Sequence, residues 1–182
     1  MSFTIKETKI KGCVEVLFNQ LTDHRGSFTK TYHEELFKAI GITMKVAEEY
    51  FTYSKQNVFR GLHFQVPPKA LDKLVYCVSG QITDYVVDIR KGSPTYGQYV
   101  SFELNSQQPS AVFVPVGLAH GFYVKSADAM MQYKVSEVYD APCDAGILYT
   151  DFDFAKTFTN PIISERDLKF SSLEEFDNPF VF

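Results

Sequence analysis

Apolar residues in this chain come in short runs that alternate with polar ones, and turn formers punctuate them. The segments TIKETKIKGCVEVLF, KVAEEYFTYS, NVFRGLHFQ, KLVYCVSGQITDYVVDI, YVSFELN, AVFVPVG, GFYVKS, MMQYKVSEVY and GILYTD read as strands. The physical reason is that period-two alternation puts every second side chain on one face of a pleated sheet. Turn signals such as KGSPTYG and SQQPS separate the strands, at the spacing of roughly 8 to 12 residues found in sandwiches and barrels. Two stretches break the pattern. HEELFKAIG has helical periodicity and ends on Gly41 as a C-cap would, and SERDLKFSSLEEF reads as a second helix. The expectation is an all-β single domain over residues 1–182, a jelly-roll barrel with short peripheral helices, because closure hides strand edges.

Alternation also assigns faces. Met131, Tyr133, Val135, Glu137 and Tyr139 share one side of their strand, with Met130, Gln132, Lys134 and Ser136 on the other, so Tyr133 is expected inside the barrel. His63 and Gln65 share a face opposite Leu62 and Phe64, Lys73 opens an apolar strand, and the two-glycine turn of PVGLAHGF delivers His120. Taken singly, each has a bland explanation: a hydrogen-bonded core histidine or tyrosine, a solvated strand-end lysine, or, for Asp167, a carboxylate at a helix start. Their occurrence together in one small barrel argues for an enclosed ligand over a solid core. Outside the barrel, TDHRGSF places Arg25 beside Gly26 in a turn, where a guanidinium can fork onto a phosphate.

Composition narrows the classes. The 182 residues are 45% apolar, enough for a sizeable core, and carry a net charge of −4. That balance lacks the basic patch of a nucleic-acid binder. The opening MSFTIKETKIKG has no apolar signal core, and no run of 18 apolar residues follows, so a soluble cytoplasmic protein without membrane contact is expected. Cys13, Cys77 and Cys143 are odd in number, widely spaced and without a CxxC pair, which points to free thiols.

PVGLAHGF resembles the second motif of the cupin superfamily, whose barrels often hold a metal. Metal-binding members supply an HxH pair from the first motif, but here that position reads His63, Phe64, Gln65, and Lys73 stands where a further ligand would be sought. One or two imidazoles beside an ammonium make a poor divalent site, so no metal or other cofactor is expected. Lys73 can instead supply the positive charge that an oxygen needs when a reaction builds an enolate.

The segments DHRGSF, FRGLHFQ, LDKLVYCVSGQITDYVVDIR, PVGLAHGF, QYKVSEVY and SERD occur in an order and spacing that resembles the nucleotide-sugar 3,5-epimerases of the dTDP-4-dehydrorhamnose type. The resemblance covers roughly residues 15 to 170. It implies a cupin barrel, usually a homodimer whose N-terminal strands help build the neighbour's site, and a metal-independent isomerase that inverts C3, C5 or both in a nucleotide-linked 4-keto sugar destined for capsule or lipopolysaccharide. By the same resemblance His63 is the general base, Asp167 orients and charges it, Tyr133 is the acid on the opposite face of the sugar, and Lys73 lies near the C4 oxygen. Arg60 binds the pyrophosphate, Arg25 is a second cation supplied across the dimer, and His120 and Tyr139 are pocket residues; Gln65, from the face it shares with His63, is a further candidate substrate contact. The chain departs from the pattern at Lys30, Glu48 and Tyr50, where relatives often carry Glu, Gln and Asn. Glu48 and Tyr50 remain candidate substrate contacts, and the departures leave a dTDP-linked and a GDP-linked sugar both open. The competing functions are a nucleotide-sugar 3,4-ketoisomerase, a non-catalytic sugar-binding cupin and a metal-dependent cupin enzyme.

Overall fold

In the computed structural model, which describes residues 2–182, the chain begins with β1 (Thr4–Glu7), β2 (Val14–Leu17), and a hairpin of β3 (Gln20–Asp23) and β4 (Gly26–Thr29). Helix α1 (Glu34–Ala39) follows, then β5 (Glu48–Lys55), β6 (Phe59–Gln65), β7 (Lys73–Ser79) and β8 (Gln81–Asp88). The remaining strands are β9 (Tyr99–Asn105), β10 (Ser110–Val114), β11 (Leu118–Val124), β12 (Asp128–Val135) and β13 (Asp144–Gly146). They form a six-stranded sheet in the order β1-β2-β10-β7-β12-β5 and a five-stranded sheet in the order β13-β6-β11-β8-β9. All pairings between these strands are antiparallel. This is the expected cupin jelly roll. Among the described residues, no helix is long and apolar enough to cross a membrane.

The two sheets face each other across a core that includes Val75, Cys77, Val86, Val112, Phe122, Met131 and Tyr133. Their outer faces are buried as well. Leu62, Phe64, Val87 and Ala119 on the five-stranded sheet are covered by Tyr149, Phe152, Phe154 and Phe180 from the C-terminal segment. Val14, Val16, Leu74 and Tyr76 on the other sheet pack with Phe3, Phe37, Ile42 and Met44. Burial on both faces explains why segments such as KLVYC are nearly continuous in apolar residues and do not alternate cleanly. At roughly 1.5–3 kcal/mol for each fully buried large side chain, these outer layers add substantially to the interior core.

Helix α1 stops where expected: Gly41 adopts φ +84° and its N–H donates to the Lys38 carbonyl at 3.0 Å, a left-handed C-terminal stop that favours glycine. The second helix does not form. SERDLKFSSLEEF holds a single 3-10 turn, Asp167–Lys169, because the segment lies against the sheet and spends its groups there. The Ser171 carbonyl accepts from Leu148 N–H at 2.9 Å, and Phe176 meets Phe64 edge-on at 5.1 Å. Tertiary packing thus overrides helix propensity. GILYTD also differs: only Gly146 belongs to a strand, and Tyr149–Asp151 is a 3-10 turn. Strand β12 ends at Val135, so the alternation read through Glu137 and Tyr139 runs past the sheet. All three cysteines are buried and free.

Candidate active site

Strand parity carries the polar residues inward. On β7, Leu74 and Tyr76 face the outer cluster while Val75 and Cys77 face the core, which leaves Lys73 on the interior side. The same reasoning turns His63 and Gln65 inward from β6, His120 from β11 and Tyr133 from β12. They line one cavity of about 330 Å³ together with Glu48, Tyr50, Thr52, Arg60, Tyr139, Asp144 and Arg166. That volume lies within the roughly 300–1,000 Å³ range of small-molecule sites.

His63 Nε2 lies 2.9 Å from Asp167 Oδ1. Asp167 is buried, and its Oδ2 accepts the Gly61 N–H at 3.2 Å. Burial alone would raise the Asp167 carboxyl, but the hydrogen bonds from His63 and Gly61 outweigh it and hold the group below the ordinary carboxylate range. An ionised carboxylate only accepts, so His63 Nε2 carries the proton and Nδ1 keeps its lone pair. Burial pulls the His63 imidazole below its ordinary pKa, with Asp167 opposing the shift. A neutral histidine with a free nitrogen is a competent proton acceptor at neutral pH.

Gly61 makes this contact possible. A Cβ there would lie 2.6 Å from Gly121 Cα, and its backbone sits at φ +148°, a conformation that side chains rarely adopt. Gly61 and Gly121 therefore let β6 and β11 approach while the Gly61 N–H points to Asp167.

Lys73 is buried rather than solvated, and its Nζ donates to the His63 carbonyl at 2.9 Å. Burial lowers its pKa to about 8, with Asp144 and Asp84 limiting the drop. An ammonium remains the major form at neutrality. Tyr133 is buried on the facing sheet, and burial, with Tyr50 beside it, pushes its phenol far above the ordinary range. It stays a proton donor at any physiological pH. His120 Nε2 lies 2.7 Å from Asp84 Oδ2. Burial raises the Asp84 carboxyl, opposed chiefly by His120.

The remaining expected residues divide. Arg60 Nε donates to Ser54 Oγ at 2.9 Å and its Nη2 to the Tyr53 carbonyl at 3.3 Å, which anchors the guanidinium and leaves further donors for a ligand. Glu48 Oε2 accepts the Tyr139 N–H at 2.8 Å and so fixes the exposed Tyr139 at the cavity mouth. Gln65 lines the cavity, and its amide is also engaged by the protein. Its Nε2 donates to the carbonyls of Lys69 and Val138, at 2.8 and 3.2 Å, and its Oε1 accepts the Asp140 N–H at 2.8 Å, so the amide holds a loop and shapes the wall. Arg25 is not in this cavity. It projects from the β3–β4 hairpin and pairs with Asp23, Nε to Oδ1 at 3.2 Å. Lys30 is likewise absent from the lining.

Sequence reading missed Thr52, Asp84, Asp144 and Arg166. Asp84 carried a signal, since it stands in the apolar strand QITDYVVD in phase with the interior residues Ile82 and Val86. Arg166 pairs with Asp144 at 2.9 Å and lies over the Phe170 ring, contacts set by the C-terminal fold and invisible locally. Thr52 Oγ1 is buried on the cavity wall without a hydrogen-bond partner among the described residues. No group of three or more His, Cys, Asp and Glu side chains placed to hold a metal occurs among them.

Comparison with known proteins identifies the family and the fold. The sequence profile of the dTDP-4-dehydrorhamnose 3,5-epimerase family matches residues 7–175. The dTDP-4-dehydrorhamnose 3,5-epimerase of Shigella flexneri is 36% identical over 149 residues, 80% of this chain and 82% of that protein. The dTDP-4-dehydrorhamnose 3-epimerase of Streptomyces niveus is 36% identical over 161 residues, 87% of this chain and 78% of that one. Among solved structures, the dTDP-6-deoxy-D-glucose-3,5-epimerase of Legionella pneumophila Philadelphia 1, in complex with dTDP-4-keto-L-rhamnose, superposes with a TM-score of 0.90 at 31% identity. That match covers 96% of this chain and 95% of the other. With a matching sheet architecture and a family profile spanning nearly its whole length, this chain belongs to the dTDP-4-dehydrorhamnose 3,5-epimerase family.

Proposed function

We propose that the cavity epimerises a dTDP-linked 4-keto-6-deoxyhexose at C3, or at both C3 and C5, with His63 as base and Tyr133 as acid. The observation that carries the reading is their placement. His63 comes from one sheet and Tyr133 from the other, so they flank the same cavity from facing walls. Inversion needs this arrangement, because the proton must leave one face of the carbon and return to the other.

A ketone at C4 acidifies the hydrogens on its neighbouring carbons. His63 Nδ1 takes one as a proton, and the electron pair of the broken C–H bond delocalises onto the C4 oxygen as an enolate. Lys73, held beside the His63 backbone, stabilises that developing charge. Tyr133 then delivers its hydroxyl proton to the opposite face of the carbon. Asp167 keeps His63 in the productive tautomer and favours the imidazolium that forms. The keto group is already in the substrate, so the reaction is redox-neutral.

Arg60 meets the diphosphate from its anchored position, and Glu48 and Tyr139 meet the nucleoside at the cavity mouth. A homodimer completes the site: the β3–β4 hairpin leaves Leu21 and Phe28 exposed and carries Arg25 toward the neighbour's diphosphate. Exposed apolar side chains on a projecting hairpin support such a role.

Proton NMR in D₂O with dTDP- and GDP-linked 4-keto-6-deoxy sugars tests the reading. Deuterium entering C3 or C5 of the dTDP sugar, together with inverted product, is expected. Preference for the GDP sugar would overturn the nucleotide, a 3-keto product would indicate a ketoisomerase, and binding without exchange would indicate a sugar-binding module.

A further inference from the structure

Tyr50 and Tyr133 are direct cross-strand partners in the β5–β12 pair. Their rings stack nearly parallel, 12° apart with centroids separated by 4.7 Å. The Tyr133 ring also meets His120 edge-on at 6.1 Å, and His120 is fixed in turn by Asp84 at 2.7 Å. These two supports differ in kind. His120 and Asp84 are buried in the barrel, whereas Tyr50 sits on β5, the terminal strand of its sheet, and is 38% exposed on the cavity wall.

The contact matters because an aromatic ring turns about two side-chain bonds, and staggered alternatives become available when a neighbour is removed. Taking away the Tyr50 ring would open space beside Tyr133 that is continuous with the cavity. An offset-stacked pair also gains energy beyond the area it buries, so the observed orientation is favoured as well as confined. Because the contact is between ring faces, the ring of Tyr50 and not its hydroxyl is the part that supports Tyr133.

We infer that Tyr50 is a positioning residue whose ring clamps Tyr133 in the orientation that returns a proton to the substrate, so that Tyr50 sets how often proton loss ends in inversion. The inference rests on the proposal that Tyr133 is the acid. The proton balance shows the consequence. Removal of the carbon's proton leaves an enolate and a protonated His63. In the productive course, the Tyr133 hydroxyl proton bonds to the opposite face of the carbon, the phenolate regains a proton from solvent, and His63 loses one to it. With Tyr133 displaced, His63 exchanges its proton with solvent and gives one back to the original face. That outcome is exchange without inversion.

The test measures two rates in D₂O with the dTDP-linked 4-keto-6-deoxy sugar: deuterium uptake at C3 and C5, and formation of inverted product. In Tyr50→Ala the ratio of inversion to uptake is expected to fall about tenfold, the scale set by losing one aromatic pair, whatever the truncation does to substrate binding, which affects both rates alike. Tyr50→Phe, which keeps the ring, is expected to restore the wild-type ratio. Tyr50→Val retains strand propensity and serves as a second truncation should the alanine variant fold poorly. A wild-type ratio in the folded truncations overturns the inference, and so does a Tyr50→Phe ratio as low as theirs, which would assign the effect to the hydroxyl. Absence of uptake in the wild type would instead overturn the catalytic reading itself. A general loss of fold would lower uptake and inversion together without changing their ratio.

Discussion

His63 Nε2 and Asp167 Oδ1 lie 2.9 Å apart, joining two residues separated by 104 positions in the chain. Asp167 also accepts the Gly61 N–H, so one buried carboxylate fixes both the tautomer of His63 and the strand that carries it. Asp167→Asn preserves the shape and removes the charge that favours the imidazolium. We expect kcat/KM to fall by about 10²-fold or more in a folded protein. A change below threefold in steady-state kinetics would show that the pairing is structural only.

The pH profile follows from the two perturbed groups on the cavity wall. His63 must be neutral to accept a proton, and its folded-state pKa lies below the ordinary 6.5. Activity is therefore lost as pH falls through that lowered pKa, on the acid side of 6.5. Lys73 must be charged, and its pKa is lowered to about 8, so activity is lost as pH rises through 8. A bell with these limbs in kcat/KM is expected, and a profile flat from pH 7 to 10 would contradict the role of Lys73.

Lys73→Met keeps the length and apolar character of the side chain and deletes its charge. The expected result is a loss of about 10²- to 10³-fold in kcat, the scale of removing one stabilising group from a developing oxyanion. The alkaline limb should vanish as well. If the limb survives in Lys73→Met, it belongs to another group.

Arg60 is anchored by Ser54 and by the Tyr53 carbonyl. Its truncation to Ala should raise KM by about tenfold or more while kcat changes little, because the diphosphate does not react and its binding is uniform across the reaction. Calorimetric titration with dTDP reads the same effect without turnover. Unchanged affinity would remove Arg60 from the diphosphate site.

Gly61→Ala places a Cβ 2.6 Å from Gly121 Cα on a backbone that disfavours any side chain. A cost of about 2 kcal/mol or more is expected, equivalent to a fall of roughly 4–8 °C in Tm for a domain of this size. Scanning calorimetry measures it, and an unchanged Tm would mean that β6 and β11 separate freely.

The strands were legible because alternation is a local property: it put Tyr133 inside the barrel and set His63 on the face opposite Leu62 and Phe64. The burial of Lys73 was not legible and emerges from the folded strand. Where a strand is buried on both faces, as in KLVYC, alternation blurs, yet the apolar run still marks it. What failed was set by distant contacts. SERDLKFSSLEEF has the composition of a helix, but its aromatic residues and carbonyls are committed to the sheet beneath. The loop that the Gln65 amide holds, some 75 residues onward, likewise left no local signal. Asp144 and Arg166 meet only once that C-terminal segment is folded.

The most direct test of two-face proton transfer compares His63→Asn with Tyr133→Phe in D₂O, following deuterium at C3 and C5 alongside inverted product. We predict that His63→Asn abolishes both, whereas Tyr133→Phe continues to take up deuterium while inversion stops. Uptake that survives in His63→Asn, or that disappears together with inversion in Tyr133→Phe, would contradict a base on one wall and an acid on the other.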